Sequence, residues 1–261
     1  NKDGSLLFEN PRAFQGKGET TWEGLIKSVR GKVKGTKAKI RLGASSGEWK
    51  AMVADEAART TFAKNIKKVL EKNNLDGIDL DFEWAENEKE YEDYSLAILK
   101  MREVLGDKYL FSVSLHPVCY KISKKAIEAV DFISLQCYGP SPVRFPIEKY
   151  CSDIQMVLEY GIPKEKLVAG VPFYGVTKDN SKKTEAYFNF VQDGLITSPS
   201  QNEVIYQGDT YVFDGQDNIR IKTRYAKEQK LKGMMSWDLA TDLPLNDSKS
   251  LLKTMTEELR K

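Results

Sequence analysis

Three cysteines and one histidine are all the thiol and imidazole ligands this 261-residue chain carries. Cys119, Cys137 and Cys151 are odd in number and fall at no metal-ligand spacing, so they define no disulfide framework and read as buried, inert thiols. A single His116 removes the commonest zinc ligand sets, and its place before Pro117 reads as structural. No metal and no cofactor are expected. Net charge is also scarce: 40 basic residues against 38 acidic ones leave +2. That balance argues against a nucleic-acid or membrane-surface partner. No apolar run approaches the roughly 18–20 residues of a membrane span. Internal repeats and low-complexity tracts are lacking too. What remains, 41% hydrophobic and 30% charged residues, is an ordinary globular composition. The length suffices for one large domain with a substantial core.

The most informative stretch present is Leu75-Asp76-Gly77-Ile78-Asp79-Leu80-Asp81-Phe82-Glu83-Trp84. Asp76-Gly77 is a turn dipeptide that feeds an alternating run. On a strand, Ile78, Leu80 and Phe82 share one face, while Asp79, Asp81 and Glu83 line the other at steps of about 6–7 Å. Three readings fit such a row. It suits an edge strand with a solvated acidic face, although acidic residues are poor strand formers. It suits a hard cation such as Mg²⁺ or Ca²⁺. It also suits a barrel strand whose carboxylates point inward and whose last one emerges at the catalytic end.

The rest of the chain alternates strands with helices. Trp22, Leu25, Ile26 and Val29 recur at helical spacing, and the basic, Gly-rich run Gly31 to Gly35 ends that helix. Lys39 to Ala44 reads as a strand, followed by a loop from Ser45 to Trp49. A helix with Phe62, Ile66, Val69 and Leu70 on one face stops near Asn73-Asn74, and the acidic strand follows at 77–82. A helix from Asn87 to Leu105 carries Tyr91, Tyr94, Ile98, Met101 and Leu105 on one stripe. Strands at 110–115, 132–137, 167–174 and 233–238 then alternate with helices at 124–130, 147–160, 218–231 and 248–259. Residues 176–216 break the rhythm as a small insertion, with aromatic Tyr187, Phe188 and Phe190 and a hairpin expected around Asp214-Gly215. Strands alternating with helices of ten or more residues mean parallel βαβ units, so the fold class is α/β in a single domain over 1–261.

These residues resemble the family 18 glycoside hydrolases, which include chitinases and some endo-β-N-acetylglucosaminidases. Asp76, Gly77, Asp79, Asp81 and Glu83 match the family's Asp-Gly-x-Asp-x-Asp-x-Glu signature at every defined position. Gln136-Cys137-Tyr138 is similar to the end of the family's sixth strand, Gly170 to Gly175 to its seventh, and Gly233 to Trp237 to its eighth. The resemblance implies a TIM (β/α)8-type barrel of which strands three to eight, six of the eight, are present. By that count the chain, which opens Asn1-Lys2-Asp3-Gly4 without an initiator Met, is expected to be N-terminally incomplete. Three positions depart from the pattern. The third-strand Ser-x-Gly-Gly appears only loosely, around Arg41 to Ser46, Gly139 follows Tyr138, and Val176 follows Gly175.

The resemblance implies hydrolysis of β-1,4-linked N-acetylglucosamine glycans, chitin or its oligosaccharides, by a retaining mechanism in which the substrate's acetamido group is the nucleophile. Glu83 would be the general acid and base. Asp81 would hydrogen-bond the acetamido N–H with Asp79 behind it, and Tyr138 would donate to the acetamido oxygen. Adjacent carboxylates cannot all ionise freely, and their protons come off in coupled steps. Trp237 would floor the sugar site, with Tyr174, Trp49, Trp84 and Gln136 as further substrate contacts. Asp76 shapes the turn. The implied partner is an oligo- or polysaccharide containing N-acetylglucosamine, met by a monomer in an extracellular, periplasmic or cell-surface location. Two alternatives stay open: an endo-β-N-acetylglucosaminidase acting on N-glycan cores, and a chitin-binding lectin on the same fold.

Overall fold

A computed structural model describes residues 1–8, 21–45, 47–138, 145–179 and 183–261. Ser46 and Gly139 of the sequence reading, and 180–182 of the 176–216 segment, lie outside the described residues. The chain divides into two compact units, Asn1–Ser114 with Lys121–Asp131, and Leu115–Tyr120 with Phe132–Lys261.

The first unit runs α1 (Trp22–Lys32), β1 (Arg41–Ser45), α2 (Trp49–Ala54), α3 (Glu56–Lys72), β2 (Gly77–Asp81), α4 (Glu88–Leu105), β3 (Leu110–Leu115) and α5 (Lys124–Ala129). Its strands are parallel, with Gly43 of β1 opposite Asp79 of β2 and Asp79 opposite Ser112 of β3. Local chemistry sets the helix starts: Asp55 caps α3 by accepting from the Ala58 N–H at 2.7 Å, and Asn87 caps α4 by accepting from the Glu90 N–H at 3.0 Å. The period-2 pattern of β2 then decides what faces the helices. Ile78, Leu80 and Phe82 are buried together with Phe62, Ile66 and Leu70 of α3 and Tyr94, Ile98, Met101 and Leu105 of α4. Each such side chain contributes about 1.5–3 kcal/mol on burial. Gly77 is required by close approach, because a Cβ there would stand 1.9 Å from the Leu110 carbonyl oxygen.

Two expectations change here. Trp49 begins a helix rather than ending a loop, because Trp49, Met52 and Val53 bury one face at i, i+3, i+4 spacing. In α1 the apolar stripe is helical as expected but holds no buried residue.

The second unit runs β4 (Phe132–Leu135), α6 (Ile147–Tyr160), β5 (Leu167–Pro172), β6 (Tyr174–Thr177), β7 (Thr184–Ala186), α7 (Tyr187–Gln192), β8 (Glu203–Tyr206), β9 (Asp209–Val212), α8 (Gln216–Glu228), β10 (Gly233–Trp237), a short 3₁₀ turn (Leu239–Thr241) and α9 (Leu251–Arg260). β5 pairs in parallel with both β4 and β10. The six parallel strands of the described residues, three in each unit, are those of a (β/α)-barrel type.

The segment that breaks the rhythm builds its own antiparallel sheet in the order β7-β6-β9-β8. Its hairpin turns at Gln207-Gly208, whose φ values of 50° and 87° suit the two-residue type I′ turn between Tyr206 and Asp209. The hairpin is therefore not at Asp214-Gly215. Asp214 is fully buried, and Gly215 opens α8, where a Cβ would meet the Gln201 carbonyl oxygen at 2.2 Å.

Cysteine reactivity is low where burial is complete. Cys119 and Cys137 are buried, and burial first, then the Asp153 charge, pushes the Cys137 thiol up to about 12. Cys151 is only half-buried, against the expectation for all three.

Candidate active site

In the first unit the two faces of β2 separate as the alternation requires. Ile78 and Leu80 are fully buried, Asp79 and Asp81 are half-buried, and Glu83 just beyond the strand is exposed. Asp76 stands at the other end of the strand, where it accepts from the Ile40 N–H at 2.8 Å and from Lys39 Nζ at 3.3 Å, a turn-shaping role.

Asp79 is held through both of its carboxylate oxygens. Ser112 Oγ donates to its Oδ1 and Ser114 Oγ donates to its Oδ2 at 2.7 Å. Arg41 Nη1 donates to Ser112 Oγ and lies 3.9 Å from Asp79 Oδ1. These partners arrive by register: Arg41 and Gly43 occupy one face of β1, Ser112 and Ser114 one face of β3, and Asp79 sits between. Burial pushes the Asp79 carboxyl above its ordinary value, while Ser112, Ser114 and Arg41 pull it back. Sequence reasoning missed all three partners; the period-2 serines of Leu110-Phe111-Ser112-Val113-Ser114-Leu115 were the available signal. Among the described residues no cluster of His, Cys, Asp and Glu is arranged to hold a metal ion.

Glu83 is positioned from behind by aromatic rings. Trp49 stacks on Phe82 with centroids 5.2 Å apart and 14° between planes, and Tyr94 tilts against both rings. The Trp49 indole N–H donates to the Glu83 carbonyl oxygen at 3.2 Å, and Tyr94 OH donates to that of Leu80 at 3.3 Å. Trp49, expected as a sugar contact, is only 5% exposed. Its large apolar ring satisfies the core, and its one donor is used on the backbone of the acid. Beyond Glu83, Lys50 pairs with Glu86 at 3.2 Å and Glu90 at 2.9 Å, on the loop that Glu83 and half-buried Trp84 enter.

The second unit gathers the remaining candidates around the ends of its strands. Tyr138 follows β4, is buried, and donates to Met235 Sδ of β10 at 3.7 Å. Its ring meets Tyr174 edge-on at 6.4 Å, and Phe145 meets Tyr174 likewise at 6.2 Å, so Tyr138, Phe145 and Val176 form one cluster with Tyr174 and Met235 against it. Gly170 makes room for that ring, since a Cβ there would stand 2.9 Å from Tyr138 Cε1. Gln136 is buried, and its backbone N–H donates to the Leu115 carbonyl oxygen at 2.8 Å. Trp237 ends β10 with 54% of its surface exposed, while its carbonyl accepts from the Phe173 N–H at 2.8 Å. An exposed indole presents a large apolar face to solvent. The Glu83–Trp84 and Trp237–Asp238 peptide bonds are cis.

Known proteins resemble this chain in sequence and in fold. The chain is 24% identical over 261 residues to a protein named probable chitinase 2 of Drosophila melanogaster, covering 76% of this chain and 54% of that one. The chain thus spans about half the length of the curated relatives it matches. Its fold is similar to that of a chitinase from Bacteroides thetaiotaomicron, with a TM-score of 0.83 at 21% identity over 99% of this chain and 84% of that one. It is also similar to a chitinase-like agglutinin from Robinia pseudoacacia, with a TM-score of 0.74 at 19% identity over 91% of this chain and 85% of that one. The model of glycosyl hydrolases family 18 matches residues 4–242, which takes in every residue of the site described above, and the chain belongs to that family.

Proposed function

We propose that this chain hydrolyses β-1,4-linked N-acetylglucosamine chains, chitin or chitooligosaccharides, with retention and with the substrate's own acetamido group as nucleophile. The observation that carries the reading is the carboxylate row of β2. Its apolar partners Ile78, Leu80 and Phe82 are buried behind it, and Glu83 stands exposed at its end. Membership of a glycoside hydrolase family supports the reaction class.

In this mechanism Glu83 gives its proton to the glycosidic oxygen as the C1–O bond breaks. The acetamido oxygen forms the new bond to C1, and Asp81 accepts the acetamido N–H and steadies the oxazolinium cation. Water then attacks C1 as the acetamido oxygen leaves it, the water's proton passes to Glu83, and the configuration at C1 is retained. Asp79 stands behind Asp81, Tyr138 donates to the acetamido oxygen, and Trp237 stacks under the sugar. Export to an extracellular, periplasmic or cell-surface location is part of the same proposal.

The test is hydrolysis of a chromogenic chitobioside and of a chitin oligomer series, with Glu83→Gln beside the wild type. Loss of the general acid should lower kcat by about 10²–10⁴-fold. A Gln variant as active as the wild type would remove Glu83 from the chemistry. Tight binding of the oligomers by a folded wild type that never cuts them would favour a lectin role, the reading that the agglutinin's shared fold brings forward. Cleavage of N-glycan cores in place of chitin oligomers would select the endo-β-N-acetylglucosaminidase reading.

A further inference from the structure

In the first unit Arg41 stands apart from the aromatic support of Glu83, yet it touches the carboxylate row. It lies on β1, where the family's third-strand pattern is only loosely kept. Its side chain is 25% exposed and that of Asp79 18%, so neither charge is fully hydrated. Gly43, directly opposite Asp79, carries no side chain, and the guanidinium from two residues earlier on the same face of β1 approaches Oδ1.

The hydrogen bonds here have a forced direction. A guanidinium only donates, so Ser112 Oγ accepts from Arg41 and has its own proton to give to Asp79 Oδ1. Ser114 donates to Oδ2. Both oxygens of Asp79 receive donors, an arrangement that suits its ionised form. Among the described residues of the first unit, the charged and titratable groups on the Asp79 face are Arg41 from β1, Asp81 on its own strand and Glu83 just beyond it, while β3 brings the neutral Ser112 and Ser114. Asp131 adds its field at Arg41. The 3.9 Å between guanidinium and carboxylate is within the range at which an opposite charge moves a carboxyl titration by about 1–3 pH units.

We propose that Arg41, anchored on Ser112, is a positioning residue that holds Asp79 ionised and so confines the mobile proton of the carboxylate row to Asp81 and Glu83. The inference rests on the hydrolase reading only for its consequence, a pH dependence of turnover tuned from β1. Burial opposes ionisation of Asp79, and among the described residues Arg41 is the cation that acts against it, alongside the Ser112 and Ser114 hydrogen bonds.

The test is a carboxyl ¹³C NMR titration of the full chain labelled in aspartate, with the Asp79 signal assigned through Asp79→Asn. Relative to the wild type, the Asp79 midpoint should rise by roughly 1 pH unit in Arg41→Gln and stay close in the charge-keeping Arg41→Lys. The acidic limb of the kcat/KM profile on the chromogenic chitobioside should move the same way. Should Arg41→Gln fail to fold, Ser112→Ala, which keeps every charge and removes the relay, should still raise the midpoint by a smaller amount. An unmoved midpoint in a folded Arg41→Gln, or in Ser112→Ala where that variant stands in, overturns the proposal. Because the titration needs no substrate, the two readings fail separately. A wild type that turns over nothing while Asp79 responds to Arg41 removes the hydrolase reading and leaves the hold on Asp79 standing.

Discussion

Lys222–Asp214 in the second unit and Arg41–Asp79 in the first are both ion pairs withdrawn from bulk water, and they are built differently. The side chains of Lys222 and Asp214 are 1% and 0% exposed. Lys222 Nζ donates to Asp214 Oδ2 at 2.5 Å and to the Phe145 carbonyl oxygen at 2.8 Å, and it sits 5.4 Å from the centroid of the Tyr150 ring. Asn218 Nδ2 adds a donor to Asp214 Oδ1 at 3.2 Å. Such a pair is sealed and saturated, and its work is to fix the backbone at Phe145, which packs against Tyr138. The Arg41–Asp79 pair is longer, relayed through a hydroxyl and partly open, and a row of further carboxylates continues from it. A sealed pair holds structure, while an open one leaves its field to act on neighbouring protons.

The largest expected effect separates the two pairs by stability. Lys222→Met leaves the Asp214 charge buried without its cation and should cost about 3–5 kcal/mol in urea unfolding. The double variant Lys222→Met/Asp214→Leu should recover most of that loss, because an apolar pair of similar volume avoids the desolvation penalty. A single variant that costs less than about 1 kcal/mol would erase the contrast. Next comes Arg41→Gln, for which partial exposure limits the loss to about 1 kcal/mol or less. A cost as large as that of Lys222→Met would make Arg41 a structural residue of the same kind.

The smallest effect concerns pH. Burial first among its causes holds the folded Asp79 carboxyl above the ordinary 3.8, so the folded protein binds this proton more tightly than the unfolded chain does. The stability that this proton contributes is fully present below 3.8 and is lost as pH rises through the folded value. Asp79→Asn removes the group, so wild-type stability relative to that variant should decline with rising pH across this window. A difference that stays flat, or that grows with pH, would show that the serines and Arg41 outweigh burial.

Much of the chemistry was legible because strand period and motif spacing are local. The alternation at 77–83 put carboxylates on one face and apolar residues on the other, and both faces behave accordingly. The strand–helix rhythm likewise yielded six parallel strands with boundaries displaced by a few residues, since pairing ends where hydrogen-bond partners end. The burial of Trp49 was not legible because an aromatic residue beside a strand end has the same local signature whether it faces solvent or core. The turn at Gln207-Gly208 was misplaced because Asp214-Gly215 has the stronger dipeptide signal, and burial of Asp214 beside Lys222 overrides it.

By itself, then, the amino-acid order determined the α/β class, the family signature, and the identity of Glu83 as the acid to test. Each of these depends on residues within a few positions of one another. Tertiary structure alone decided that Trp49 supports Glu83 from the core, that Asp214 pairs with Lys222, and that Arg41, Ser112 and Ser114 converge on Asp79. Those partners come from separate elements, and only strand register and helix packing bring their side chains within hydrogen-bonding distance.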